Sequence, residues 1–365
     1  MNCKERFLTA LKLGEPDRVP MFDLEFNEES ILNIGRHFTD DLPPAKAFVD
    51  CTPEETLKYY DVLIKFVREL DLDSISAVFT AGNVRVEGKP DHLKDDLGVV
   101  YRNSKHGDPF PVDGPIRNPD DLKGYRMPKI QPKHFEIFKY LREMAPERTL
   151  VFTVPGPFKL GWGLMGALEK LLLAFAMSPD FCLRLARMTT DYVKSAMETA
   201  IAEGADAILL DGDISFQKAT MMSPAHYRKF LKPFHQECVD LAHARELPII
   251  KHSDGNFWLV MDDLLEIGFD GLHPIQPQCM DIREVKAHVR GKTCVIGNID
   301  CAELLPFGTE EEVIASVKKT IRDIAPGGGY ILSSSNSIHP ACDPKNVLAM
   351  FRAARQYGNY PIRLS

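Results

Sequence analysis

Ala205-Asp206-Ala207-Ile208-Leu209-Leu210-Asp211-Gly212-Asp213 and, further on, Pro248-Ile249-Ile250-Lys251-His252-Ser253-Asp254-Gly255-Asn256 decide the fold. Each opens as a short apolar run and closes in charged and small residues. An apolar run without polar alternation is a strand buried on both faces, as in a parallel sheet covered by helices. Between the two, Ser223-Pro224 places serine as N-cap and proline at the first helical position, so a helix starts there. Upstream, the pattern predicts a strand over Thr149–Val154 and helices over Leu160–Met177 and Phe181–Ala202. Downstream it predicts a helix from about Phe257 to Ile267, a strand Gly271–Ile275, a helix Ile282–Val289 and a strand Cys294–Ile299. A capping box, Thr309 with Glu312, opens a helix to Asp323. Tyr330–Ser334 reads as the last strand and Pro344–Tyr357 as the closing helix.

Strands alternating with crossover helices mean a parallel sheet. No GxGxxG follows the first strand, so a closed barrel is favoured over a dinucleotide-binding sheet. No repeat, low-complexity tract or linker divides the chain. The expectation is an α/β protein with one domain over residues 1–365, a (β/α)8 TIM barrel carrying an N-terminal helical extension. Gly82–Pro128, richer in Gly, Pro and Asp, reads as an excursion over one barrel end.

Composition narrows the function classes. The 365 residues suffice for a large core without disulfides, and 44 basic against 52 acidic residues give a net charge of -8. That balance argues against nucleic acid as partner. No apolar run approaches the ~20 residues of a membrane helix, since Glu169 and Lys170 break the stretch Leu160 to Met177. Met1 to Lys12 has neither the apolar region nor the cleavage site of a signal peptide, so a cytoplasmic protein is expected. Eight scattered cysteines with no CxxC read as reduced thiols packed as small hydrophobes.

In a barrel of this kind the chemistry lies where strands end. The first strand, Arg18 to Glu25, ends in carboxylates; another ends at Asp211 and Asp213; a third runs into Lys251-His252-Ser253-Asp254-Gly255-Asn256. His273 and Gln276 follow, then Gly297-Asn298-Ile299-Asp300, and finally Ser333-Ser334-Ser335-Asn336-Ser337-Ile338-His339. His252 and Asp254, two apart in an extended segment, point the same way, which suits either metal ligation or an imidazole oriented by a carboxylate. His273 fits packing and a site role equally well. His339, at the end of the last strand, is placed to meet a substrate.

These strand ends resemble the uroporphyrinogen decarboxylase superfamily over essentially the whole chain. The resemblance is carried by Arg6-Phe7-Leu8-Thr9-Ala10-Leu11 with Pro16-Asp17-Arg18-Val19-Pro20, by Lys251 to Asn256, by Val295-Ile296-Gly297-Asn298-Ile299-Asp300, and by Gly327 to His339. That superfamily holds cofactor-free decarboxylases and corrinoid-linked methyltransferases on a single (β/α)8 barrel. Its decarboxylases grip a tetrapyrrole's carboxylates with an arginine-rich motif after the first strand, because several acids need cationic forks. The matching stretch, Met21 to Ser30, holds four acids and no arginine. Its methyltransferases bind zinc through a His-x-Cys pair and a later cysteine. The matching positions here are His252, Asp254 and Asn336, a pattern similar to the O-demethylase branch acting on methoxylated substrates.

The resemblance therefore implies a methyltransferase moving a methyl group from a methoxylated substrate, such as an aryl methyl ether, to the cob(I)amide of a separate corrinoid protein. It implies catalytic roles for His252, Asp254, Glu25 and His339. Substrate would meet Phe22, Asp213, Asn298, Asn336 and Trp162, and zinc would be held by His252, Asp254 and Glu25. The alternatives are uroporphyrinogen decarboxylase itself and a catalytically silent barrel that only binds a tetrapyrrole or corrinoid partner.

Overall fold

The computed structural model describes residues 1–103 and 109–363. Its centre is a curled, wholly parallel sheet of seven strands in the order β1 (Ser74–Val78), β6 (Thr149–Pro155), β7 (Ala207–Asp211), β8 (Ile249–His252), β9 (Gly271–His273), β10 (Cys294–Ile296) and β11 (Tyr330–Ile331). Within these strands alternate residues face opposite ways, as the period of two requires. Val151, Ala207, Leu209, Ile250, Cys294, Ile296 and Ile331 form a small inner cluster, while Leu150, Phe152, Ile208, Leu210 and Ile249 pack outward with the helices. Phe7, Ala10 and Leu11 of the helix Cys3–Leu11 join the inner cluster and plug one end of the curl. The expected N-terminal helical extension is thus present and fills the sheet's concave face.

Eight regular strands were expected and seven form. Arg18 to Glu25, expected as the first, makes only bridges. Phe22 N donates to Leu332 O at 3.0 Å, Leu332 N to Pro20 O at 2.9 Å, and Asp73 N to Met21 O at 3.0 Å. The segment therefore touches both edges of the sheet. Its ladder is broken because Pro20 has no N–H and because the Met21 amide donates to the Asp73 carboxylate (2.8 Å) instead of a backbone carbonyl. Asp73 is itself buried between Arg6 and Arg18, which ties the helix, the segment and β1 together.

The stretch after β1 is more ordered than an excursion. It forms a four-stranded antiparallel sheet, β2 (Asn83–Val86), β3 (Lys89–Asp95), β4 (Val100–Arg102) and β5 (Phe110–Asp113). Gly88, at φ +73°, turns the first hairpin, a signal present in the sequence as Glu87-Gly88. The long helix expected over Leu160–Met177 is two helices, Pro157–Leu164 and Leu168–Met177, bent by 97°. Gly166 breaks it at φ +74°, where a Cβ would lie 2.7 Å from the Asp113 backbone. Among the described residues no single helix is long and apolar enough to cross a membrane.

Candidate functional site

Parallel pairing of β7, β8 and β9 puts Asp211, His252 and His273 side by side in register at the strand ends. Asp213 and Asp254 follow two residues beyond Asp211 and His252. The buried His252 ring directs Nε2 at three carboxylates: Asp211 Oδ1 at 3.9 Å, Asp213 Oδ1 at 3.8 Å and Asp254 Oδ1 at 3.8 Å. Two loops are knitted together to hold this arrangement. Asp254 N donates to Asp213 Oδ1 (2.8 Å), Ser215 Oγ to Asp254 O (2.5 Å), Ile214 N to Ser253 Oγ (3.0 Å) and Asn256 N to Phe216 O (2.8 Å). The approach depends on Gly255, at φ +82°, where a Cβ would stand 2.5 Å from Phe216 O.

Beneath the cluster lies Lys251, 2% exposed, whose Nζ donates to Gly212 O and His252 O at 2.5 Å each. Burial pulls this ammonium down to about 8 against the opposing pull of Asp211 and Asp213. Burial also pushes the Asp211 carboxyl up, but Lys159 (2.6 Å), His252 and Lys251 outweigh it and hold Asp211 below the ordinary range. Asp254 goes the other way. Burial and the facing carboxylates Asp213 and Asp211 raise it to about 6 in spite of His252.

Asp213, His252 and Asp254 are the group of three among the described residues able to hold a cation, with one ligand atom from each lying within 4.8 Å of the others. Ligands about 2.1 Å from a tetrahedral zinc stand ~3.4 Å apart, so the 3.8 Å separations need to close by a few tenths of an ångström. Asp254 Oδ1 is buried with no hydrogen-bond partner, an unsatisfied acceptor aimed into the group. A nitrogen and two hard oxygens are ordinary zinc donors, so the residues fit that ion. The third donor is Asp213, expected to meet substrate. Glu25, expected as a ligand, lies outside the group; its carbonyl accepts from Ile338 N (2.9 Å), and after burial its charge is the next cause raising the Tyr60 phenol.

The remaining expected site residues divide. Asn336 joins the cluster by donating Nδ2–H to Asp254 Oδ2 at 2.6 Å. Asn298 is buried and donates to Ile275 O at 3.0 Å. His339 is occupied by backbone on both nitrogens, with Nε2 2.8 Å from Cys301 O and Nδ1 accepting from Ala341 N at 3.3 Å. Phe22 is fully buried, edge-on to Phe7 and to His273 at 5.6 Å, so it forms a floor below His273. Trp162 packs half-buried against the outer core. All eight cysteines are free, as expected.

Three further groups at the site are not among the expected site residues. His273, fully buried, approaches His252 Nδ1 with its own Nδ1 at 2.8 Å and Ser333 Oγ with Nε2 at 3.2 Å. Burial, then His252, holds its basicity well below the ordinary imidazole range. Asp23 accepts from Ser334 N (3.1 Å), Ser334 Oγ (2.9 Å) and Leu24 N (3.1 Å), yet complete burial lifts it to about 7. Lys251 is the third. The sequence signal for the histidine was its place in register with His252, which needs the β8–β9 pairing to be known.

Comparison with known proteins places this geometry in a family. The family model described as uroporphyrinogen decarboxylase (URO-D) matches residues 94–357. A uroporphyrinogen decarboxylase from Thioalkalivibrio sulfidiphilus is 27% identical over 179 residues, a match spanning 48% of this chain and 47% of that relative. The methylcobamide:CoM methyltransferase MtbA of Methanosarcina acetivorans is 24% identical over 253 residues, 66% of this chain and 70% of the relative. Among solved structures, a methyltransferase from Methanosarcina mazei superposes with a TM-score of 0.76 at 20% identity, over 98% of this chain and 99% of that one.

Proposed function

The chain belongs to the uroporphyrinogen decarboxylase family, and on that premise we propose that it is a methyltransferase moving a methyl group from a methoxylated substrate, an aryl methyl ether, to the cob(I)amide of a separate corrinoid protein. The observation that carries this is the hard donor set Asp213–His252–Asp254 with its unsatisfied Asp254 Oδ1. Cob(I)amide is itself a strong nucleophile, so the protein's task is to ease departure of an alkoxide or phenolate. A thiol substrate would favour thiolate ligands, and none is in the group. Asp213, His252 and Asp254 would hold a zinc ion, which would supply Lewis acidity toward the ether oxygen.

The chain's own residues prepare the site. His252 directs Nε2 at the place where the leaving oxygen gains charge, and Asn336 turns one oxygen of Asp254 away so that the other faces that place. Lys251 pins the carbonyls of Gly212 and His252, which keeps both loops from relaxing under the mutual repulsion of their carboxylates. The fold that supports this is read as one barrel domain, with Arg18 to Asp23 in the eighth strand position.

The relatives' names also include the decarboxylase, but a tetrapyrrole with several acid side chains needs cationic forks. Met21 to Ser30 supplies four acids instead, and the rim's Lys159 is paired with Asp211. The deciding test is incubation with a reduced corrinoid protein and a panel of methoxylated compounds, followed spectroscopically. Donor-dependent methylcobamide formation is expected; its absence with every donor, together with coproporphyrinogen formation from uroporphyrinogen, would reverse the assignment.

A further inference from the structure

We infer that His273 is a positioning residue for His252: its bare Nδ1 accepts the His252 Nδ1–H, which leaves His252 Nε2 as the nitrogen that does the chemistry. This rests on the proposed role of His252 and adds to it a fixed tautomer and the residue that fixes it. The two Nδ1 atoms are 2.8 Å apart, so one must donate and the other accept. The surroundings decide which. His252 Nε2 faces Asp211, Asp213 and Asp254 at 3.8–3.9 Å, where a cation would be held. A neutral imidazole that gives its Nε2 lone pair to a cation carries its one proton on Nδ1, which is then a donor. His273 must then accept.

The environment of His273 suits an acceptor. Its ring is 0% exposed, lies against Phe22 and has no carboxylate partner of its own, so it stays neutral with one proton. With Nδ1 bare, that proton is on Nε2, where Ser333 Oγ receives it at 3.2 Å. The hydrogen bonds thus run from His252 to His273 to Ser333, from the rim to the inner floor. They fix the His252 ring in plane and in tautomer, the task a carboxylate or backbone carbonyl performs behind many ligand histidines. Here a second histidine does it, supplied by the neighbouring parallel strand in register.

The test reads the tautomer directly. Zinc-loaded protein labelled with nitrogen-15 at histidine, without substrate, should show His273 protonated at Nε2 and bare at Nδ1, and His252 protonated at Nδ1; the signals are assigned with His273→Gln. A His273 carrying its proton on Nδ1 would overturn the inference. Zinc affinity, measured by competition with a chelator, gives a second readout. His273→Phe keeps the ring volume but has no lone pair, and should bind zinc about 10–100-fold more weakly. His273→Gln, whose amide oxygen can accept from His252, should recover most of that loss. Zinc binding by the phenylalanine variant equal to that of the parent would also overturn it. Should His273→Phe not fold, the tautomer in the parent protein decides alone. If no methoxylated donor is turned over, only the function fails, because neither readout involves a methyl donor.

Discussion

Asn336 reaches from the segment after β11 to Asp254 and binds one carboxylate oxygen at 2.6 Å, leaving the other buried and without a hydrogen-bond partner. A carboxylate held at one oxygen cannot rotate to satisfy the second. The arrangement keeps Asp254 Oδ1 3.8 Å from His252 Nε2, ready for a cation or a proton between them. Asn336→Ala should free the carboxylate and lower zinc affinity roughly 10–100-fold. Titration calorimetry of zinc into parent and variant measures this, and equal affinities would remove Asn336 from the centre.

Metal dependence separates two versions of the chemistry. His252→Ala should abolish methyl transfer in either version, so the variant alone is uninformative. Chelator treatment with elemental analysis does separate them: activity should fall as zinc is removed and return when it is restored. Full activity in metal-free protein would make His252 the proton donor, with Asp254 as its orienting carboxylate.

Asp23 gives the folded protein a pH dependence of stability. Its carboxyl, ordinarily near 3.8, is lifted to about 7 in the fold. Between these values the native state keeps a proton that the unfolded chain has released, so stability falls as pH rises through that window and is level above it. The full change is on the order of 4 kcal/mol. Denaturant midpoints for the parent and Asp23→Asn at pH 5 and pH 7.5 should converge or cross accordingly, with the parent losing more. A parallel pH dependence in both proteins would contradict this.

Phe22→Ala should remove the floor under His273. The residue is fully buried, and Phe→Ala in a core costs about 3–5 kcal/mol through lost transfer energy and the cavity left behind. A chemical denaturation curve checks the size of the loss, and one below about 1 kcal/mol would show that the inner cluster does not depend on this ring.

Uroporphyrinogen should not be converted to coproporphyrinogen by the purified protein. Met21 to Ser30 contains no arginine, and its Glu25, Glu28 and Glu29 present like charge to a polycarboxylate. Product fluorescence after oxidation to the porphyrin is a sensitive assay for this.

The residues along one strand were legible in the sequence; the relations between strands were not. His252 and Asp254 stand out because a spacing of two in an extended segment gives a common direction. Asp213 is equally visible, but its place as third carboxylate depends on how the 212–222 loop folds back onto Ser253 and Asp254. Glu25, which the resemblance implied as a ligand, lies outside the group. The antiparallel sheet was hidden because its strands are short and largely exposed, with no apolar run to mark them. The break in the helix expected over Leu160–Met177 was hidden because it depends on the contact of Gly166 with the Asp113 backbone.

The backbone contact at Gly255 bears on how this rim can be redesigned. Because a side chain there would meet Phe216 O at 2.5 Å, the loops after β7 and β8 are shaped against each other at main-chain distance. Transplanting either loop alone from a relative with another substrate brings a backbone path its neighbour was not built to accept. The two form one inheritable unit, and new selectivity is gained by exchanging them as a pair.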